Sequence, residues 1–520
     1  MRVHLVYYNW QLVTSFYGIM IDHIEEILQN KNNKVILLTC DGEFKNCMVN
    51  RLSDNLICSE CRYVKKIGLS NLKKYENRFV HLEIGEFVSD KERNEFPQFT
   101  FNTVEEVKKI KYREVYLGYG ALSSYVSYTR NQSPDFSDKE TLAYFTDLLD
   151  SQMVLTDAIY KVLDEYMPEK MNVYNGRWAD VRPMYDIAKA TNIQIDVLEA
   201  LNDLGTTFYK EIYPNVLPQN IPYRHQWIMD IWEMAEKDAD ERNAIAESFF
   251  MKRRNAEFTG DVKIYTLGQK EGLLPEGWDS RKRNMVIFNS SEDEFLALGN
   301  DYDTFALFDD QETGIHYLLK EFATNTNVHF YLRIHPNLAA LPYGYHVRLL
   351  GLERRYSNVT VIPGDSAIST YSLIDSAEKV IAFTSTVGAE ACYWGKPVIL
   401  LAGTGYYYLD VAYIPKSKEE TKNLILEILE PKEKLGALKY AFFLMDKFYR
   451  TTKINRNPQA VKIFGKDLGS KFSHLKLLNS SMLFRVCWQV WVKMVKPLLL
   501  NFSKSKYKLI PVKEKILSDD

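Results

Sequence analysis

The 520-residue chain contains no run of about 20 uncharged apolar residues, so it offers no helix fit to span a bilayer. It has almost no net charge: 65 Lys and Arg stand against 68 Asp and Glu, a formal −3, which removes any overall drive toward nucleic acid. It shows no short-period repeat and no low-complexity stretch, so a solenoid or a largely disordered chain is excluded. Its start, "MRVHLVYYNW", reads as a first strand rather than a signal peptide, because no small-residue cleavage site follows a long apolar core. The expectation is a cytoplasmic protein, where thiols stay reduced. The six cysteines then need a reason other than disulfides.

What is present is the composition of a globular protein, 46% hydrophobic and 26% charged, in a chain too long for one ordinary core. Short apolar runs alternate with helical patterns, the signature of parallel sheets covered by helices. In the first half "VHLVYY", "KVILLTC", "FVHLEIG", "REVYLGYG" and "MNVYNGR" read as strands, and "MIDHIEEILQN" and "KETLAYFTDLLDSQMVLTDAIYKVLDEY" as helices. The charged segment "IMDIWEMAEKDADERNAIAESFFMKRR" reads as one helix joining two halves. The alternation then restarts with "NMVIFNS", "TFALF", "VHFYLRIHP", "VTVIPG", "KVIAFTS" and "KPVILLA", interleaved with "GIHYLLKEFATN" and "STYSLIDSA". The expected class is α/β, with two Rossmann-like domains, 1–228 and 229–445, facing a cleft, and a basic amphipathic tail, 446–520.

Ligands of open parallel sheets bind beyond the carboxyl ends of the strands, so polar residues there are the candidates. "VHFYLRIHPN" delivers Arg333 and His335, and Pro336 ends the strand and holds its neighbour extended. "KVIAFTSTVGAEACYWGKP" runs a strand into Ser385, Thr386 and Gly388, and then a helix carrying Glu390. Hydroxyls and backbone amides at such a helix start can receive a phosphate, or can simply cap the helix. "VIFNSSEDEF" puts Asn289, Ser290 and Ser291 after a strand; ligand binding and capping both remain open for the serines, while Glu292 and Asp293 read as first-turn acids. In the first half, "YNGRWADVRP" places Asn175, Arg177 and Arg182 after a strand, where two guanidiniums could hold a phosphate or carboxylate, or form a salt bridge between domains. "GALSSYVSYTR" places Ser123 and Ser124 at a strand-to-helix junction.

The set "NGRWADVRP", "FNSSEDEF", "RIHPN" and "FTSTVGAEACYWGKPVI", in that order and spacing, resembles the bacterial capsule polysaccharide biosynthesis proteins. These are glycosyltransferases of two-domain GT-B architecture, related in the second domain to Kdo and CDP-glycerol transferases. The resemblance implies an enzyme that moves a sugar from a CMP- or other NDP-linked donor to a surface polysaccharide, capsule or lipopolysaccharide, by direct displacement. It implies that His335 contacts the donor phosphate and that Ser385 and Thr386 form the Ser/Thr helix start. Glu390 matches the family's "GxEA" acid, and a ribose contact is expected of it. An imidazole with helix amides would stabilise the leaving phosphate, so no metal is required for catalysis. Asp203, followed by Gly205 in "VLEALNDLGTTFYK", resembles the acid-then-glycine motif of related CMP-sugar transferases and is the expected base; it also reads as a loop Asp capping the next turn. The rivals are a CDP-glycerol or ribitol-phosphate transferase, a GT-B epimerase, and a non-catalytic, membrane-docked assembly factor.

Two features lie outside that scheme. Cys40, Cys47, Cys58 and Cys61 fall within one segment, the last two spaced C-x2-C. They are read as a structural zinc site, with reduced structural thiols as the alternative. The tail combines recurring Lys and Arg with "SMLFRVCWQVWVKMVKPLLLNFSKSKYKL", which can rest peripherally on the inner face of the membrane or dock on the protein's own surface.

Overall fold

The computed structural model describes residues 1–8, 15–203, 207–259, 264–291, 295–339 and 344–446, with the short strand stretches 452–453, 461–463 and 466–468 and residue 507. The chain forms two compact units, the first built chiefly from Met1–Thr129 and Ser133–Pro218, the second chiefly from Gln219–Arg450. Both are α/β and Rossmann-like.

In the first unit, β1 (Arg2–Tyr7), β2 (Asn33–Thr39), β3 (Phe79–Glu83), β4 (Lys170–Tyr174) and β5 (Gln194–Asp203) lie in the order β3-β2-β1-β4-β5, all parallel. β6 (Thr207–Pro214) turns back on β5 as an antiparallel hairpin, and Thr452–Lys453 pairs antiparallel with β6. One face of this sheet packs Val6, Val35, Leu37 and Leu198 against Ile24 and Leu28 of the helix Ser15–Gln29.

The second unit repeats the scheme. β7 (Arg283–Phe288), β8 (Val328–Arg333), β9 (Val359–Ile362), β10 (Lys379–Ala382) and β11 (Val398–Leu400) stand in the order β9-β8-β7-β10-β11, again parallel. Both faces are covered, which is why these strands read as unbroken apolar runs. Alternate residues go to opposite cores: Met285, Ile287, Phe330 and Leu332 to one, Val286, Phe288, Tyr331 and Ala382 to the other.

Several sequence expectations change. "REVYLGYG" is not a strand: Tyr112 and Val115 make a single bridge, and Leu117–Thr129 is a helix. The two glycines there serve close packing, since a Cβ on Gly118 would sit 1.7 Å from the Val107 carbonyl oxygen and one on Gly120 would sit 2.2 Å from Gln152 Oε1. "TFALF" is likewise not a strand. The expected joining helix is two, Ile221–Met234 and Ala239–Arg254, restarted where Asp238 accepts the Glu241 N–H at 2.8 Å. Both pack into the second unit through Ile228, Trp232, Phe249 and Phe250, so the units change before this segment rather than within it. The basic tail, apart from the short stretches named, lies outside the described residues; among those residues no helix is long and apolar enough to cross a membrane.

Candidate functional site

In a sheet ordered 3-2-1-4-5 the chain leaves its first strand in one direction and its fourth in the other, which opens a crevice at their carboxyl ends. In the second unit that point lies between β7 and β10, and β8 flanks β7. The three strand ends are linked by hydrogen bonds. Asn289, just past β7, accepts the His335 N–H at 2.8 Å and donates to the Tyr345 hydroxyl at 3.3 Å. Ser290 hydrogen-bonds through its hydroxyl to that of Thr384, just past β10. Gln311 clamps Ser290 from both sides, accepting its N–H at 2.9 Å and donating to its Oγ at 2.7 Å.

His335 is half-buried and extended, φ −60° and ψ 133°. The Asn337 N–H donates to its Nδ1 at 3.1 Å. That nitrogen must then be the acceptor, so a neutral ring carries its proton on Nε2 and presents a donor there. Tyr265 packs edge-on against the ring at 5.1 Å, and a Cβ on Gly364, in the turn after β9, would lie 2.9 Å from the His335 carbonyl oxygen. His335 is thus fixed from three other segments, at its ring by Tyr265 and at its backbone by Asn289 and the Gly364 turn.

The rest of the second-unit candidates divide. Ser385 is buried and its Oγ accepts the Val387 N–H at 3.3 Å, a capping contact; Thr386 is half-buried and makes no side-chain cap. The helix they open, Val387–Tyr393, is only seven residues, so it brings little dipole. Gly388 gives close approach to Tyr406 rather than to a phosphate: a Cβ would sit 2.1 Å from the Tyr406 hydroxyl, which donates to the Ser385 carbonyl. Glu390 is corrected outright. It is 1% exposed, accepts from Arg253 Nε at 2.9 Å and from the Tyr371 hydroxyl, and so faces the interior, not a ribose. Arg333 is also turned inward. At 3% exposure it donates to the carbonyls of Pro363 and Ser366, both at 3.1 Å, tying down the loop after β9; burial pulls its guanidinium down to about 10. Ser291 is buried beside Ser290, and Glu292 and Asp293 lie outside the described residues.

In the first unit, β4 ends in two left-handed residues, Asn175 at φ +62° and Gly176 at φ +76°. The Asn175 amide donates to Glu199 Oε1 at 2.6 Å and accepts the Arg177 N–H at 3.3 Å. The Tyr174 hydroxyl donates to Glu199 Oε2 at 3.2 Å. Burial pushes the Glu199 carboxyl up to about 7 against the pull of Asn175, Arg177 and Tyr174, and Glu211, its cross-strand partner, pushes the same way. Glu199 was missed because its strand was missed; an acid interrupting the apolar run "IDVLEAL" is the signal that could have found it. Asn175 and Arg177 thus share one cluster, and Arg182 does not join it. Arg182 is buried in an ion pair with Asp186 one turn along its own helix, at 2.7 Å. Ser123 and Ser124 lie within the helix Leu117–Thr129, both buried; Ser124 accepts the Ala179 N–H at 2.8 Å, and the Ser123 hydroxyl has no partner among the described residues. Asp203 is the last residue of β5, paired with Thr207, and its side chain lies outside the described residues.

The four cysteines line one small cavity of about 20 Å³ with Asn50 and Arg62. Yet among the described residues no group of three or more His, Cys, Asp or Glu side chains is arranged to hold a metal ion. Their sulfurs instead accept hydrogen bonds, Cys40 from the Gly42 N–H, Cys47 from the Asn50 N–H and Cys58 from Asn50 Nδ2. Burial pushes the Cys61 thiol up to about 12.

No family model and no curated protein matches the chain. Among solved structures it is similar to two KpsC transferases of Thermosulfurimonas dismutans. The β-Kdo 2,4 transferase is 15% identical, covers 53% of this chain and 80% of its own, and has a TM-score of 0.33. The β-Kdo 2,7 transferase is 12% identical, covers 57% and 86%, and scores 0.31. It is also similar to the UDP-GlcNAc 2-epimerase of Neisseria meningitidis, 12% identical over 86% of this chain and all of that one, with a TM-score of 0.24.

Proposed function

We propose that the chain is a glycosyltransferase whose second unit holds a nucleotide-linked sugar donor at the crevice between β7 and β10. The observation that supports this is the linkage of three strand ends around His335, whose Nε2 proton is held ready by the bond at Nδ1. In a direct displacement the acceptor oxygen bonds to the anomeric carbon while the bond from that carbon to the phosphate oxygen breaks. Its electron pair leaves on the nucleotide phosphate, and a donor already aimed at that oxygen lowers the barrier without reorganising. His335 fills that role, with Thr386 beside the leaving group. A surface polysaccharide as acceptor and a peripheral place on the membrane belong to the same proposal; they are supported by the order of the motifs and by the basic composition of 446–520.

Calorimetry of the full chain with CMP, CDP, UDP and GDP tests the reading. One nucleotide should bind, and His335→Ala should weaken it. Transfer from a CDP-linked glycerol or ribitol, but from no sugar donor, would favour the phosphate-transferase rival. Binding of none of the four would leave only the non-catalytic assembly factor.

A further inference from the structure

The sequence leaves the basic tail a choice between a membrane face and the protein's own surface. One described residue of the tail bears on that choice. Tyr507, in the run "KSKYKL", is only 3% exposed although lysines flank it on both sides. Its ring meets Tyr144 edge-on at 5.3 Å, its hydroxyl donates to the Asp147 carboxylate, and the Ala143 carbonyl oxygen lies 3.4 Å from that hydroxyl. All three partners stand within one turn of the helix Lys139–Tyr166.

The slot that receives the phenol is firmly built. Tyr144 is fully buried and is backed by Tyr125 of the helix Leu117–Thr129, their ring centroids 6.0 Å apart. Asp147 is buried as well, and a hydrogen bond from a phenol to a shielded carboxylate is among the stronger kinds. Burial and that bond push the Tyr507 phenol up, so it stays a donor. The tail meets the first unit at a second place. Thr452 and Lys453 pair antiparallel with Lys210 and Tyr209 of β6, covering part of a strand edge that would otherwise offer its N–H and C=O groups to another chain. Thr451–Ile510 accordingly belongs to that unit.

We propose that the helix Lys139–Tyr166 is a docking surface for the chain's own tail, with Tyr507 as the clasp that withholds the tail from a lipid surface. The segment "SMLFRVCWQVWVKMVKPLLLNF" precedes Tyr507 and joins Trp, Leu and Val to spaced cations, a composition suited to an anionic headgroup layer. Its last residue, Phe502, can stand no more than about 18 Å from the clasp, at about 3.6 Å per residue. Fastening Tyr507 therefore fixes where that segment ends. Membrane attachment then requires the clasp to open, and the lipid affinity observed is the intrinsic one scaled by the open fraction. This goes beyond the transferase reading and rests only on its membrane part.

The test uses the full chain and two readouts: trypsin cleavage after Lys508, just beyond the clasp, and sedimentation with vesicles of phosphatidylcholine and phosphatidylglycerol. Tyr507→Phe keeps the ring contact and loses the hydroxyl, so it should speed cleavage and tighten vesicle binding by about tenfold each. Tyr507→Ala should do more of both. Asp147→Ala approaches from the other side. It should match Tyr507→Phe, and the two together should add little to either alone, as a shared contact requires. Equal cleavage of wild type and Tyr507→Ala overturns the clasp, and so do Tyr507→Phe and Asp147→Ala effects that simply add. Equal vesicle binding by wild type and Tyr507→Ala overturns it too; if neither binds vesicles at all, the membrane part of the reading above falls with it. The nucleotide panel is read separately, so none of these outcomes decides the transferase reading.

Discussion

The two units share one strand order and differ in what they place at its open end. The second unit gathers neutral groups past β7, β8 and β10: an amide, hydroxyls, and an imidazole whose Nδ1 accepts the Asn337 N–H. The first gathers acids and thiols: Glu199 facing Glu211 past β4, and four cysteines around a small cavity after β2. The same backbone scheme therefore sets where chemistry can occur and leaves its sign to the turns. Neutral donors suit an anion that arrives with its own charge; a buried carboxylate facing another acid keeps its proton to higher pH.

The sharpest way to break this comparison is at Glu390. If it holds Arg253 rather than a ligand, Glu390→Ala leaves a buried, unpaired guanidinium and should cost about 3–5 kcal/mol of stability in urea unfolding. An unchanged midpoint with weaker nucleotide binding would restore the ribose contact and redraw the second unit. His335→Ala should follow, lowering donor turnover by roughly 10²–10³-fold, or about 2.7–4 kcal/mol, with the melting temperature little changed. Equal turnover would remove the imidazole from the chemistry.

Glu199→Gln sharpens the contrast from the other side. The folded carboxyl titrates near 7, above its ordinary value of 4.5, so its favourable contribution is complete below 4.5 and is lost as pH rises through 7. The Gln variant should therefore match the wild type in stability at pH 4 and exceed it by about 1–2 kcal/mol at pH 8, after discounting for partial exposure. Stability curves at the two pH values check the sign. The smallest effect belongs to Ser290→Ala, which removes the Gln311 and Thr384 contacts and should cost about 1–2 kcal/mol. A neutral result would mean that the link between β7 and β10 does not depend on that hydroxyl.

Legibility followed burial. β7 to β11 could be read because each is covered on both faces and appears as an apolar block bounded by Pro336, Pro363 or polar residues. The β5–β6 hairpin could not, since Glu199, Lys210 and Glu211 interrupt its pattern with charges whose partners are remote in sequence. "REVYLGYG" misled for the opposite reason: Val115, Tyr116 and Tyr119 favour strands, and only packing against Val107 and Gln152 explains why Gly118 and Gly120 sit in a helix. At the site, the strand-end rule pointed to His335, Ser290 and Ser291, which lie just past β8 and β7. It misjudged Arg333, Arg182 and Glu390, because a charged residue near a strand end is read as facing a ligand until its carbonyl or ion-pair partner is seen. Gln311, Tyr265 and Gly364 carry no local signal at all, for their roles exist only once distant segments meet.

Gly364 has a consequence for how this chain can change over generations. The bend at His335 leaves no room for even a methyl group in the turn opposite it, because a Cβ at 364 would meet the His335 carbonyl oxygen and the Pro336 Cα; it is the course of the backbone that ties position 364 to glycine. Descendants that keep this bend should keep position 364 bare, whichever side chain stands at 335.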